Sequence, residues 1–128
     1  MKSELKRRRF VVHKHYAKRL HYDLRLEDSG TLRSWAVPKG VPEEINIKRL
    51  AIAVEDHALS YINFEGEIEE GQYGAGRVEI FDEGEYDLIK RTDKKIVFIF
   101  KGKKLSGEYS LIKFREPSQW LLSKIVPT

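Results

Sequence analysis

The stretch LHYDLRLE, residues 20–27, decides the fold. Its polarity alternates strictly, with Leu20, Tyr22, Leu24 and Leu26 in one phase and His21, Asp23, Arg25 and Glu27 in the other. Successive side chains of a strand point to opposite faces, so a period of two marks a β-strand with one face in the core. Asp28-Ser29-Gly30 follows as a turn, and Leu32–Val37 reads as the returning arm of a hairpin. The same pattern continues outward in both directions. Upstream, Phe10–Val12 is a short apolar run. Downstream, Arg49–Glu55 (RLAIAVE), Arg77–Phe81, Tyr86–Lys90, Lys95–Lys101 (KIVFIFK), Glu108–Phe114 and Trp120–Ile125 read as strands, with a shorter one at Phe64–Ile68. Turn signals stand at Glu83-Gly84, Thr92-Asp93, Lys101-Gly102 and Ser106-Gly107. Turns roughly 8–12 residues apart predict an all-β sandwich or barrel. No segment carries a helical period; Pro42–Ile47 and His57–Asn63 are the places for one or two short helical turns.

Composition sets the outer limits. The chain has 128 residues, 41% hydrophobic and 11% aromatic, which is enough for one core and too short for two. Zero cysteine excludes disulfide frameworks, Cys-based zinc or iron–sulfur sites and thiol catalysis. No apolar run approaches the ~20 residues of a membrane span, and MKSELKRRRF has no signal-peptide core, so a cytoplasmic location is expected, with no membrane partner. The net charge of +4 hides an asymmetry: residues 1–25 hold nine basic and two acidic side chains, +7, while the rest carries −3. A basic segment on a slightly acidic body predicts a phosphate-facing surface. Residues 1–9 are expected to be a flexible basic tail ahead of a single domain over 10–128.

That segment also holds three of the four histidines: His13, His15 and His21. His21 and Asp23 project together on the polar face of the strand. With a second imidazole from upstream they would form a two-His, one-carboxylate metal set, which leaves coordination positions open for chemistry. His13 and His15 share a phase, and spacing alone leaves both open as that second imidazole. Arg25 is next along the face, and its planar fork suits a phosphate. His57, after Glu55 and Asp56, with Tyr61 four residues on, is a candidate phosphate contact or general acid. Lys39, in the constrained loop Val37-Pro-Lys-Gly40, is a further phosphate candidate. The Gly-x-x-Gly-x-Gly of 71–76 lacks the lysine and context of a nucleotide loop and predicts a tight bend.

Taken together, FVVHKHYAKRLHYDLRLE, SWAVPKG, KRLAIAVEDHALSYINFEG, EGQYGAGRVEIFD and WLLSK occur in an order that resembles the 3′-phosphoesterase domain of ligase D, over about residues 9–125. The resemblance implies a small closed antiparallel β-barrel of about eight strands. It implies a Mn²⁺-dependent DNA 3′-end-healing enzyme, other divalent metals such as Co²⁺ or Zn²⁺ being compatible with the ligand types. Such an enzyme removes a 3′-terminal ribonucleoside by phosphodiester cleavage and then hydrolyses the resulting 3′-phosphate. Residue by residue, it implies His15, His21 and Asp23 as metal ligands, which selects His15 over His13. It implies Arg25, His57 and Lys39 as phosphate contacts, and Tyr61 as an active-site residue beside His57. Many relatives carry Gln where this chain has His13. Ligase D members also carry an Arg-Asp pair and a Glu before the FVV strand, whereas MKSELKRRR has no Arg-Asp pair, so the balance of the two steps stays open. The partners implied are DNA or RNA-ended DNA 3′ termini at primer–templates or breaks, and a separately encoded ligase, polymerase or Ku-type end-joining factor. The chain itself is expected to be monomeric.

Two other classes fit parts of the pattern. A cupin-like metal oxygenase also uses two His and a carboxylate on a barrel, but with a His late in the chain, and none follows His57 here. A non-catalytic single-strand nucleic-acid-binding barrel would display stacked aromatics, whereas Tyr22, Trp35, Phe98 and Phe100 fall in core phase.

Overall fold

A computed structural model describes residues 8–127. Nine strands follow in chain order: β1 (Arg8–Tyr16), β2 (Leu20–Asp28), β3 (Thr31–Val37), β4 (Lys48–His57), β5 (Gly66–Ile68), β6 (Gly76–Arg91), β7 (Lys95–Gly102), β8 (Ser106–Arg115) and β9 (Gln119–Lys124). A 3₁₀ turn, Leu59–Asn63, lies between β4 and β5. Every strand pairing is antiparallel, in the order β1-β2-β3-β4-β9-β8-β7-β6, and β6 pairs back on β1 to close an eight-stranded barrel. The short β5 adds to the outer end of β6. Closure leaves the eight barrel strands no open edge. Among the described residues, no helix is long and apolar enough to cross a membrane.

The inward phase of each strand fills the barrel. Phe10 and Val12 of β1, Leu24 and Leu26 of β2, Trp35 and Val37 of β3 and Ala51 of β4 meet Tyr86, Phe98, Phe100, Tyr109, Leu111, Trp120 and Leu122 from the far wall. Phe98, Phe100 and Tyr109 pack as a ring cluster, and Trp35 meets Trp120 edge to face. Buried aromatics supply much of the burial that holds so small a domain together. Of the Leu20-Tyr22-Leu24-Leu26 phase, Leu24 and Leu26 are buried and Tyr22 packs against the core, but Leu20, at the start of β2, is exposed.

The outward phase of β1–β3 is not bare. Val11, Leu32 and Ile62 form a second small cluster, backed by Leu59, Tyr61 and Ile80. It fixes the 3₁₀ turn against the outside of the barrel wall, over the polar side chains of β1 and β2. That polar face, which period-two reasoning would leave in solvent, is covered: Asp23 is 5% and Arg25 4% exposed.

Three expectations are corrected. Glu83-Gly84 is not a turn; β6 runs through it for 16 residues. Gly84 pairs with Phe10 on one side and Gly102 on the other, where a Cβ would strike the Lys101 carbonyl oxygen, so this glycine permits close strand approach. Likewise Gly102 and Ser106-Gly107 lie in strands, and the turn falls between them, where the buried Asp82 carboxylate accepts from the N–H groups of Lys103, Lys104 and Leu105. Pro42–Ile47 forms no helical turn: Tyr109 Oη donates to the Pro42 carbonyl and Ile45 bridges to Lys124, drawing the segment out along the barrel. The basic tail expected over 1–9 lies outside the described residues except for Arg8 and Arg9, which belong to β1.

Candidate metal and phosphate site

The site is on the outside of the barrel wall. Neighbouring β1 and β2 place His15 opposite His21 and His13 opposite Asp23 in register. Opposite these histidines the β1–β6 ladder shifts between Val12 and His13, with Phe81 of β6 as the extra residue, while β1 keeps unbroken register with β2. A cavity of about 440 Å³ lies over these strands, lined by His15, His21, Asp23, Arg25, His57 and Tyr61, with Tyr73 and Gly74 also on its lining.

His15, His21 and Asp23 each offer a ligand atom within 4.8 Å of the others. His15 Nδ1 is 3.4 Å from Asp23 Oδ2, and His21 Nε2 is 3.3 Å from Asp23 Oδ1. The opposite nitrogen of each ring is occupied. His15 Nε2 donates to the Gly74 carbonyl at 2.7 Å, and His21 Nδ1 to the Arg19 carbonyl at 3.1 Å. These backbone contacts leave His15 Nδ1 and His21 Nε2 as the nitrogens that face the carboxylate, where each can carry a proton shared with Asp23 or a lone pair for a metal. Outer-shell hydrogen bonding of this kind orients metal-binding imidazoles. The donor set therefore fits a borderline divalent metal with open positions.

Arg25 is the hub of the second half. Its Nε donates to His13 Nδ1 at 3.0 Å, Nη1 to Ser34 Oγ at 2.9 Å, and Nη2 to Asp23 Oδ2 at 3.4 Å. Nη1 also lies 3.3 Å from His57 Nδ1. The Tyr61 ring covers the guanidinium at 5.0 Å and stacks at its other side on Phe64. His57 packs on Tyr61 with ring centres 4.6 Å apart.

The electrostatics follow from this packing. Burial would push the Asp23 carboxyl up, but the His21 hydrogen bond and the Arg25 charge outweigh it and hold it below the usual range. His21 is raised, chiefly by its hydrogen bond to Asp23. His57 is lowered by burial and then by Arg25, so it is neutral near pH 7. Burial raises the Tyr61 phenol, which keeps its proton. His57 Nδ1 is 3.3 Å from both Arg25 Nη1 and the Glu55 carbonyl; the first contact asks it to accept, the second to donate. Nε2 can thus present either a proton or a lone pair to the cavity.

Six of the seven candidates come together here. Lys39 does not. β3 ends at the buried Val37, and the Pro38-Lys39-Gly40 loop that follows passes close to the Tyr22 ring. There Lys39 lines a separate cavity of about 400 Å³ with Tyr22, Arg49 and Phe81.

His13, left open by spacing as a metal imidazole, has a place that sequence reasoning did not give it. It is fully buried, with Nε2 donating to the Phe64 carbonyl at 3.0 Å and Nδ1 accepting from Arg25. Burial, reinforced by Arg25, lowers its pKa to about 4. It is a neutral strut between Arg25 and the covering segment, not a third imidazole in the metal cluster. Its shared phase with His15 was the available signal; the contact with Phe64, 51 residues away, was not readable.

Comparison with known proteins gives one consistent answer. The family described as DNA Ligase D 3′-phosphoesterase domain matches residues 13–113. The multifunctional non-homologous end joining protein LigD of Pseudomonas aeruginosa is 48% identical over 124 residues, covering 91% of this chain and 15% of that protein. The multifunctional non-homologous end joining DNA repair protein LigD of Mycobacterium tuberculosis is 44% identical over 120 residues, covering 91% of this chain and 16% of that protein. The LigD of Mycolicibacterium smegmatis is 40% identical over 128 residues, covering 91% and 17%. The chain spans about one-sixth of the length of these relatives. With a closed eight-stranded barrel, a His-His-Asp cluster and a family match across most of its length, this chain belongs to the DNA ligase D 3′-phosphoesterase domain family.

Proposed function

We propose that the chain is a Mn²⁺-dependent phosphoesterase that heals DNA 3′ ends, removing a terminal ribonucleoside and then the 3′-phosphate left behind. The observation that carries this is the juxtaposition, in one cavity, of a converging His15–His21–Asp23 donor set with a buried Arg25 and a neutral His57. A divalent metal held by these three residues supplies Lewis-acid polarisation of a phosphate oxygen.

The rest is the work of the chain's own groups. Arg25 is locked at three corners before substrate arrives, and its second Nη2 proton has no acceptor among the described residues. A fixed cation in a covered cavity stabilises charge gathering on phosphoryl oxygens without reorganising. His57, in the cavity lining with Nδ1 engaged by Arg25 and Glu55, would donate through Nε2 to the phosphate or the leaving oxygen. The Tyr61 phenol, protonated at neutral pH, is a further donor, and its ring keeps water from the Arg25 face. Lys39 stands apart from this set.

The substrate class is a primer–template or break end, bound through its backbone by the basic segment over residues 1–25. Affinity should then fall steeply with salt and depend little on base sequence. A separately encoded ligase, polymerase or Ku-type factor would act on the healed end, in the cytoplasm, with this chain as a monomer.

The test is direct. A primer–template ending in one 3′-ribonucleotide is incubated with protein and Mn²⁺, and the products are resolved on a gel. A shortened end bearing 3′-phosphate, followed by 3′-hydroxyl, is expected. Intact ends with folded protein would overturn the reading.

A further inference from the structure

Tyr73 is anomalous. It is 96% exposed, more than any other large hydrophobic side chain among the described residues, although it lines the cavity that holds His15, Asp23 and Arg25. Among those residues no other ring packs against it. Single exposed aliphatics need no explanation, but a bare aromatic at the rim of a charged cavity is a ready contact surface.

The loop that carries it is not loose. Gln72 N–H donates to the Glu69 carbonyl and Ala75 N–H to the Gln72 carbonyl, two consecutive turns. At Gly76 the backbone, with φ of 127°, crosses so close to the Tyr16 carbonyl that any side chain would collide. The neighbouring carbonyl, Gly74, accepts from His15 Nε2 at 2.7 Å. The Tyr73 backbone is therefore one residue from a group bonded to a metal-site imidazole. Ala17 and Ile68 add apolar surface to the lining of the same cavity.

We propose that Tyr73 forms a nucleobase subsite: the base of the 3′-terminal nucleoside stacks on its ring while the phosphate lies among Arg25, His57 and the His15–His21–Asp23 cluster. This inference rests on the phosphoesterase reading and names the part of the substrate that the cavity mouth holds. A phosphate contact alone cannot distinguish a terminal nucleoside from an internal one. A ring at the cavity mouth engages a base only when a nucleoside projects past the phosphate. Stacking tolerates every base, since each has a π face, so the subsite adds affinity without sequence preference. A loop already fixed by its turns and the His15 bond loses little freedom on binding.

The probe is a primer–template whose 3′-terminal ribonucleoside carries 2-aminopurine, bound to full-length, metal-free protein so that no turnover occurs. Wild type and Tyr73→Phe are expected to quench its fluorescence, and Tyr73→Ala is not. With Mn²⁺ and an ordinary ribonucleotide end, Tyr73→Ala is expected to raise KM about tenfold with kcat within about twofold, and Tyr73→Trp to restore KM. Equal quenching and equal KM in Tyr73→Ala would overturn the subsite. So would a joint fall in kcat and Mn²⁺ affinity, because Tyr73 would then be only a strut holding Gly74 to His15. If wild type quenches the probe but leaves the ribonucleotide uncut, the hydrolase reading falls while stacking stands.

Discussion

Arg25 Nε donates to His13 Nδ1 at 3.0 Å, deep under the segment that carries Tyr61 and Phe64. The imidazole answers with its other nitrogen to the Phe64 carbonyl, so one ring ties the Arg25 guanidinium to its own cover. A glutamine at position 13 could make the same two bonds, amide oxygen to Arg25 and amide nitrogen to Phe64. His13→Gln is therefore expected to retain activity within a few fold. His13→Leu leaves a buried guanidinium N–H unpartnered, at a cost of about 2–3 kcal/mol. It should lower kcat/KM at least tenfold while Mn²⁺ affinity, measured by titration calorimetry, stays near wild type.

The same residue sets an acid limit on stability. His13 is held at about 4, below its unfolded value of 6.5. Its contribution is complete above pH 6.5 and is lost as pH falls toward 4. Complete loss amounts to about 3 kcal/mol. His21 works in the opposite sense: Asp23 raises it, so its contribution is full at acid pH and is lost as pH rises through the folded value. Denaturant melts of metal-free wild type and His13→Gln between pH 6.5 and 4 should separate the two, the glutamine variant lacking the acid slope that His13 creates.

His21→Ala removes one metal donor from a position that the core does not use. Metal binding and end cleavage should be abolished, with a melting temperature within a few degrees of the metal-free wild type. Asp23→Ala should behave worse, because it also strips Arg25 Nη2 of its acceptor and leaves a buried cation less compensated. Thermal melts in chelator distinguish the two: Asp23→Ala is expected to be the less stable by about 2 kcal/mol.

Far from the site, Asp82 is expected to matter more for folding than for chemistry. Asp82→Ala orphans three backbone N–H groups of the β7–β8 turn. A loss of about 3 kcal/mol follows, or roughly 10 °C in melting temperature for a domain this size. The kcat of the surviving folded fraction, measured at low temperature, should be unchanged.

How far the sequence could be read depended on whether the information was local. Strict alternation in Leu20–Glu27 specified the strand, its inward face and the shared direction of His21, Asp23 and Arg25. Each of those is a property of neighbouring residues. The barrel's closure through β1 and β6 was not local; it pairs Arg8 with Tyr86. Gly84 misled because glycine marks both turns and tight strand crossings, and only the partner strand decides which. Lys39 was legible only in part: a constrained loop announces that a side chain is aimed, but not which cavity it lines. His13 was invisible as a strut because its partner carbonyl arrives from a segment that crosses the outside of the barrel.

The site hangs on the outer wall of a barrel whose interior is packed solid with Trp35, Phe98, Phe100, Tyr109 and Trp120. A substrate consequently has nothing to thread through. Under the proposed function, a polymer end would approach sideways, be seated and leave again with the remainder of a duplex of any length lying free in solvent. Such a module can be fused beside other enzymes, or work alone, without its tether ever having to pass through the chemistry.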